Sequence, residues 1–158
     1  MLFACGWVVA RSSRAPYVGV VPDDIDPVDD QVEHADSELF AQLEQLLAKH
    51  EPPDLSWNFR RHMNNDSGIL LMSSSRNHRG KQPTILEVLF WLAENGPGSY
   101  GLVYLHDDAD TGVSAKQEGR PDYSNVFRVW RLLAGRVEEL DDPFLSPIMP
   151  RINPTEYS

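Results

Sequence analysis

The hydrophobic and polar residues of this 158-residue chain follow two different periods, and the shorter period predicts strands. Apolar residues alternate with other residues, or run continuously, over 2–10, 55–63, 69–73, 99–106 and 126–133. Successive side chains of a strand point to opposite faces, so alternation in the first segment predicts one shared face for a set of residues. These residues are Phe3, Cys5, Trp7 and Val9. A turn-forming Asn-Asn-Asp-Ser-Gly sequence joins the second and third segments and predicts a hairpin.

Two further segments have apolar residues at the three- and four-residue spacing of an α-helix. The first helix is predicted to begin with Asp36 or Ser37 as its N-cap and to end before a pair of prolines. The second begins where Thr84 and Glu87 form a capping-box pattern, or where Pro83 takes the first helical position. It is apolar on nearly every side and ends at a Gly-Pro-Gly sequence. The second helix is therefore predicted to be the most buried one.

The elements follow the order β-α-β-β-α-β-β in a single domain over residues 1–158. Helices inserted between mostly hairpin-connected strands indicate an α+β fold: an antiparallel or mixed sheet of about five strands with two helices packed on one face. A bend at Gly135 lets residues 136–140 extend the last strand's pairing. An acidic loop is expected at 16–35 and an irregular, proline-rich tail at 143–158. Apolar side chains are expected to pin this tail to the body: Phe144, Leu145 and Ile148.

Charge is segregated along the chain, whose formal net charge is −10. A negative surface repels nucleic acid and anionic lipid, so the composition argues against both as ligands and favours a basic protein partner. Residues 15–48 contain no Lys or Arg. Acids of this stretch and of the 107–110 segment are candidate partner-binding residues: Asp23, Asp24, Asp26, Asp29, Asp30, Glu33, Asp107, Asp108 and Asp110. The alternative is a solvated acidic surface that serves only solubility.

Aromatic side chains are the other candidates for a partner surface. Desolvated aromatic anchors usually supply much of the affinity of a protein interface, whereas charge steers the encounter. Tyr123 and Trp130 are added to the candidate partner-binding residues on this ground, and Trp7 and Trp57 are further possibilities. Each is weighed against a purely structural role, because most aromatic residues of strands belong to the core.

Cys5 is the only cysteine, so neither an intramolecular disulfide nor a cysteine-based zinc cluster can form. That usage fits a reducing cytoplasm. No basic and apolar export signal precedes Cys5, and no apolar run approaches the ~20 residues of a membrane span. The expected location is the cytoplasm. Because Cys5 shares a strand face with Trp7, we expect a buried and unreactive thiol.

The residues give little indication of catalysis, metal binding or a cofactor. The 107–118 segment has the length of a calcium-binding loop, but Ala109 and Thr111 stand where oxygen-rich ligands are needed. The five histidines form no metal-ligand spacing. His106, beside two aspartates, is the nearest approach to an acid/base cluster, and a strand-end histidine bonded within a loop is the simpler interpretation. No cofactor and no metal are expected.

Two longer motifs carry a family resemblance. One is Ser-Tyr-Gly-Leu-Val-Tyr-Leu-His-Asp-Asp at 99–108. The other is Asn-Val-Phe-Arg-Val-Trp at 125–130, which continues through Gly135 to Asp-Pro-Phe-Leu-Ser-Pro at 142–147. With the Trp57-Asn58 hairpin, they resemble the Immunity protein 7 family of bacterial polymorphic toxin systems. The resemblance extends over most of the chain.

The resemblance implies a protein without catalytic activity that binds and neutralises a toxin in the producing cell, and it implies no particular toxin chemistry. Two alternatives remain open from the residues. One is an acidic interaction module or adaptor unrelated to toxins. The other is a hydrolase that uses His106, Asp107 and Asp108, which requires these side chains to converge in a pocket. Nothing in the sequence demands a particular oligomeric state.

Overall fold

The computed structural model describes residues 1–13, 27–63, 67–76 and 84–147, and an antiparallel sheet forms the centre of this part. The elements follow the chain as β1 (Leu2–Ala10), α1 (Pro27–Leu47), β2 (Ser56–Met63), β3 (Ser67–Arg76), α2 (Thr84–Asn95), β4 (Tyr100–Asp107), α3 (Gly112–Glu118), β5 (Arg128–Leu133) and β6 (Arg136–Asp141). The strands lie in the order β2-β3-β1-β4-β5-β6, and all neighbours are antiparallel. The predicted α+β class is confirmed.

The hydrophobic core lies between one face of the sheet and the helices α1 and α2. Alternate residues of β1 point into it, and Ala4, Val8 and Ala10 are fully buried there. The two helices and the other strands supply the larger core side chains: Leu39, Phe40, Leu43, Leu47, Leu70, Met72, Ile85, Leu89, Leu92, Val103 and Leu132. Full burial of one such Leu or Phe contributes about 1.5–3 kcal/mol. The two main helices thus share one face of the sheet, as predicted.

β5 and β6 form a tight hairpin, where the sequence had predicted one strand extended past a bend. Only Ala134 and Gly135 connect the two strands, with φ angles of 53° and 71°. A two-residue hairpin turn of this kind needs positive φ at both positions. The sheet therefore has six described strands, where about five were expected, and β2 and β6 form its two edges.

α1 begins earlier than predicted, at Pro27, where the sequence analysis had placed an acidic loop. Proline is favoured at the first position of a helix, which accounts for the start. Asp36 does not cap the helix: the residue is 4% exposed, and its side chain accepts the backbone N–H of Ser12 at 2.6 Å. The predicted loop is therefore helical from residue 27, and its residues 16–26 lie outside the described part.

The acidic segment after β4 also contains a short helix, α3, that the sequence analysis missed. It ends at Gly119, which has a φ of 67° and donates its backbone N–H to the carbonyls of Ala115 and Lys116.

Among the described helices, none is long and apolar enough to cross a bilayer.

Candidate partner-binding site

Three strand ends meet at one end of the sheet. β4 and β6 end there and β5 begins there, because antiparallel neighbours run in opposite directions. The chain segments that adjoin these ends therefore lie side by side. The backbone N–H of Phe127 donates to the hydroxyl of Ser146 at 2.8 Å and links the two segments. We call this region, residues 107–128 and 139–147, the acidic end.

Asp142 organises the turn that follows β6. Its buried carboxylate accepts the backbone N–H groups of Phe144 at 3.0 Å and Leu145 at 2.7 Å, and the hydroxyl of Ser146 at 2.9 Å. Burial opposes the charge of Asp142, but these hydrogen bonds outweigh it and lower the pKa of the carboxyl below its usual value. The turn is thus fixed by a charged acceptor with several donors.

The same turn exposes two large apolar side chains. Phe144 is 81% exposed and Leu145 is 54% exposed. The expectation that these residues pin the tail to the body is therefore wrong for both, and Ile148 lies outside the described residues. Because their backbone N–H groups are held by Asp142, the two side chains stand on a fixed backbone, which reduces the ordering cost of binding a partner.

The aspartates predicted at the end of β4 and directly after it all lie in the acidic end, where each has an intramolecular partner. Asp107 accepts the backbone N–H of Ala109 at 3.0 Å. Asp108 pairs with the N-terminal ammonium group, and Asp110 pairs with Arg120. These contacts fix the loop, and Asp108 keeps its charge in solvent, since over half of its side chain is exposed, whereas the side chain of Asp110 is 17% exposed.

Tyr123 lies in the acidic end as well, over the guanidinium group of Arg128 at 4.3 Å from the ring centre. Arg128 also donates to Glu139 at 2.9 Å and pairs with Asp141, whose side chain is 94% exposed. Burial opposes the charge of Arg128, but these carboxylates raise its pKa above the usual value. Arg128 thus holds Tyr123 and two carboxylates together.

Acids outnumber bases in this region. Its cations are Lys116, Arg120 and Arg128, and the N-terminal ammonium group adjoins them. Its acids are Asp107, Asp108, Asp110, Glu118, Asp122, Glu139, Asp141 and Asp142. The region therefore keeps a net negative charge after its internal ion pairs are counted, and the exposed pair Phe144 and Leu145 belongs to the same region.

The other predicted partner-binding residues are not part of this region. Glu33 is exposed on α1, which packs against β1 and β2, towards the far edge of the sheet. Asp29 and Asp30 lie in the first turn of α1, and Asp23, Asp24 and Asp26 lie outside the described residues. Trp130 packs partly buried against the core, with its ring 6.3 Å from that of Phe90.

The three residues of the hydrolase alternative do not converge. The ring nitrogen Nε2 of His106 contacts the backbone carbonyl of Ser124 at 2.9 Å, whereas Asp107 and Asp108 have the separate partners given above. His106 and Asp107 are successive strand residues, so their side chains leave opposite faces of the sheet. Within the described ranges, no three His, Cys, Asp or Glu side chains are grouped as metal ligands would be.

The sheet face that α1 and α2 leave uncovered is a feature that the sequence analysis missed. It carries five exposed large apolar side chains, and we call it the open face: Phe3, Trp7, Leu71, Tyr100 and Leu133. Cys5 shares this face and is partly exposed, so the prediction of a buried thiol is wrong. Partial burial nevertheless raises the pKa of the Cys5 thiol.

Comparison with known proteins gives one match. The model of the family described as Immunity protein 7 matches residues 1–154, nearly the whole chain. The curated proteins and the solved structures contain no significant match.

Proposed function

This chain belongs to the Immunity protein 7 family, so its function is to neutralise a toxin of a polymorphic toxin system, and we propose that it holds the acidic end against a basic surface of that toxin. Proteins of such families are typically inhibitors without enzymatic activity, which makes stoichiometric binding the mode of action. The bound toxin loses access to its own substrate for as long as the complex lasts.

The exposed pair Phe144 and Leu145 is the observation that supports this proposal. A soluble domain gains nothing in stability from a phenylalanine that is 81% exposed. Here that residue stands on a turn fixed by Asp142, three positions after the highly exposed Asp141. An apolar anchor surrounded by charge is the usual composition of an energetic centre in a protein interface.

Charge and anchor have separate roles in this proposal. The negative potential of the acidic end attracts a basic toxin and can raise the association rate constant up to ~10⁸–10⁹ M⁻¹s⁻¹ at low salt. The anchors slow dissociation, because they lose their exposed apolar surface only in the docked complex. Together they can give a dissociation constant on the order of nanomolar.

We further propose that acids outside the acidic end contribute to steering. Asp29, Asp30 and Glu33 on the first turns of α1, with the preceding Asp23, Asp24 and Asp26, would act at long range. They would act on the toxin as it approaches, within roughly a Debye length of ~8–10 Å of each carboxylate, and need no contact with it in the final complex. As for the cell compartment, we propose that the protein meets its toxin in the cytoplasm of the producing cell.

Co-expression with the toxin domain encoded by the neighbouring gene tests the proposal. The wild-type protein should restore growth and form a complex with equal numbers of both chains on gel filtration. A Phe144→Ala, Leu145→Ala double variant should bind at least about tenfold more weakly. Asp141→Asn should mainly lower the association rate and its dependence on salt.

Glu94→Gln is the matched control for charge, because Glu94 is exposed on α2 away from the acidic end. It should change binding by less than about twofold. If the wild-type protein neither rescues growth nor binds the toxin domain, neutralisation of that toxin is excluded and an adaptor role gains support. If the anchor variant binds like the wild type, the acidic end is not the interface.

A further inference from the structure

The open face continues across the central strands as one apolar surface. Trp7 in β1 lies opposite Leu71 in β3 and opposite Leu102 in β4. Paired residues of neighbouring strands share a face, so these three side chains form a row across the centre of the sheet. Trp7 also contacts Tyr100 edge to face, at 6.3 Å between ring centres.

The exposed apolar area of the open face is in the range of known binding patches. The five exposed side chains of the open face are between 36% and 54% accessible. If a fully exposed side chain of this size has an accessible area of about 200 Å², the five together leave roughly 400 Å² of apolar surface in water. That is the size of the largest patch on a typical monomer, and such patches are often binding sites. Each partner in a protein interface of standard size buries ~800 Å², so the open face could supply about half of that area.

Phe127 connects the open face to the acidic end. The ring of Phe127 lies 6.2 Å from that of Tyr104 and 5.5 Å from that of His106, and both of these residues are on the open face. The backbone N–H of the same Phe127 donates to Ser146 in the turn that exposes Phe144. One partner can therefore contact the anchor turn and the open face at once.

Charge favours a toxin over a second copy of this chain on the open face. The face carries Arg60 and Arg136 near its two edges and Arg131, which is paired with Glu138. Two copies stacked face to face would bring like-charged arginines together, and each copy also has a net charge of −10. A basic partner avoids the second cost, because its charge is opposite to the net charge of this chain.

We infer that the open face is the apolar half of the toxin-binding footprint, and that the toxin presents an apolar patch beside its basic surface. This inference rests on the proposed function and extends it: the acidic end would meet the basic surface, and the row centred on Trp7 would meet the apolar patch.

Two tryptophans of the same sheet provide a matched test. Trp7 is 41% exposed on the open face, and Trp57 is 39% exposed on the opposite face. Trp7→Ala should raise the dissociation constant for the neighbouring gene's toxin domain at least about tenfold, whereas Trp57→Ala should change it less than about twofold. Thermal unfolding of both variants verifies that each is folded.

Hydroxyl-radical footprinting of the wild-type complex gives the same test without a substitution. Trp7 should be oxidised several-fold more slowly in the complex than in the free protein, and Trp57 at an unchanged rate. If the complex forms, but Trp7 is not protected from oxidation and Trp7→Ala binds the toxin domain like the wild type, the inference is overturned while the proposal of toxin binding stands. If no complex forms, the proposed function fails first. Sedimentation tests for a second copy on the open face. If the wild type and Trp57→Ala are dimers, Trp7→Ala is a monomer, and Trp7→Ala binds the toxin domain like the wild type, then a second copy occupies the face and the inference is wrong.

Discussion

Phe127 and Ser146 are 19 positions apart in sequence, and a hydrogen bond of 2.8 Å joins the backbone N–H of the first to the hydroxyl of the second. The same hydroxyl donates to the carboxylate of Asp142 at 2.9 Å. The entry to β5 and the turn after β6 are thus connected through one side chain. The rigidity of the exposed pair Phe144 and Leu145 depends on this connection.

Ser146→Ala should lower the free energy of unfolding by about 1–2 kcal/mol. The substitution removes both hydrogen bonds of the hydroxyl and leaves the N–H of Phe127 without its partner. Urea denaturation measures the change. Ser75→Ala, at an exposed position of β3, is the control and should stay within about 0.5 kcal/mol of the wild type. Equal losses in both variants would show that the hydroxyl of Ser146 has no particular role.

Asp142→Asn should lower stability at neutral pH by about 1–3 kcal/mol, because the charged acceptor of the turn is lost. The pKa of Asp142 is lowered in the folded protein, so its stabilising effect is present above the unfolded-state pKa and is lost as the pH falls through the folded-state value. The difference between wild type and variant should therefore narrow below about pH 4. Denaturation midpoints measured from pH 7 to pH 2.5 check this, and a constant difference over that range would contradict it.

Ala134→Gly should raise the free energy of unfolding by about 0.5–1 kcal/mol. Ala134 has a φ of 53°, a conformation in which a Cβ atom is unfavourable and glycine is not. The gain is partly offset by the greater chain entropy of glycine in the unfolded state. Denaturation by urea measures it. Gly135→Ala, at the adjacent position with a φ of 71°, should have the opposite sign.

Cys5 should serve as a reporter of the open face. Its raised thiol pKa leaves less thiolate at a given pH, so iodoacetamide should react several-fold more slowly at pH 8 than with the unfolded chain. The rate of reaction of Cys5 with iodoacetamide should continue to increase with pH above the pH at which an ordinary thiol is fully ionised. Mass spectrometry of the timed reaction gives both rates. Added toxin domain should slow the reaction further, whereas bovine serum albumin at the same concentration should not.

The pattern of β1 shows why alternation alone did not reveal the open face. Both of its faces are apolar, and the larger side chains, Phe3 and Trp7, stand on the face that the structure leaves uncovered. The covered face holds Ala4 and Val8, because bulky helix residues such as Phe40 already fill the core beneath it. Close packing limits the volume available to a strand under a helix, and single-sequence periodicity does not report that volume.

The early start of α1 could have been predicted. The sequence Pro-Val-Asp-Asp at 27–30 is a recognisable first turn, since proline suits the first position and acids suit the positive end of the helix dipole. The Asp36-Ser37 capping signal competed with it and was wrong, because Asp36 bonds to Ser12 in a different part of the chain. Contacts between segments distant in sequence override local signals of this kind.

The acidic end could be predicted in its parts but not as a whole. The aspartates of 107–110 were found from charge, and Tyr123 from its aromatic side chain. Their meeting with the turn of 142–147 depends on the pairing of β5 with both β4 and β6, which sets three strand ends together. The exposure of Phe144 was not predicted, because a large apolar side chain is more often buried against the domain than exposed to solvent.

The position of β1 has a consequence for synthesis of the sheet. Of the described strands, β1 is made first, yet it lies inside the sheet between β3 and β4 and has no hydrogen-bonded neighbour until those later strands are made. At roughly 5–20 residues per second, the nascent chain waits several seconds before its first strand is paired on both sides. A fragment cut short before β4 would leave one side of β1 as an unpaired sheet edge, so the strand would be open to pairing with other chains until β4 is added.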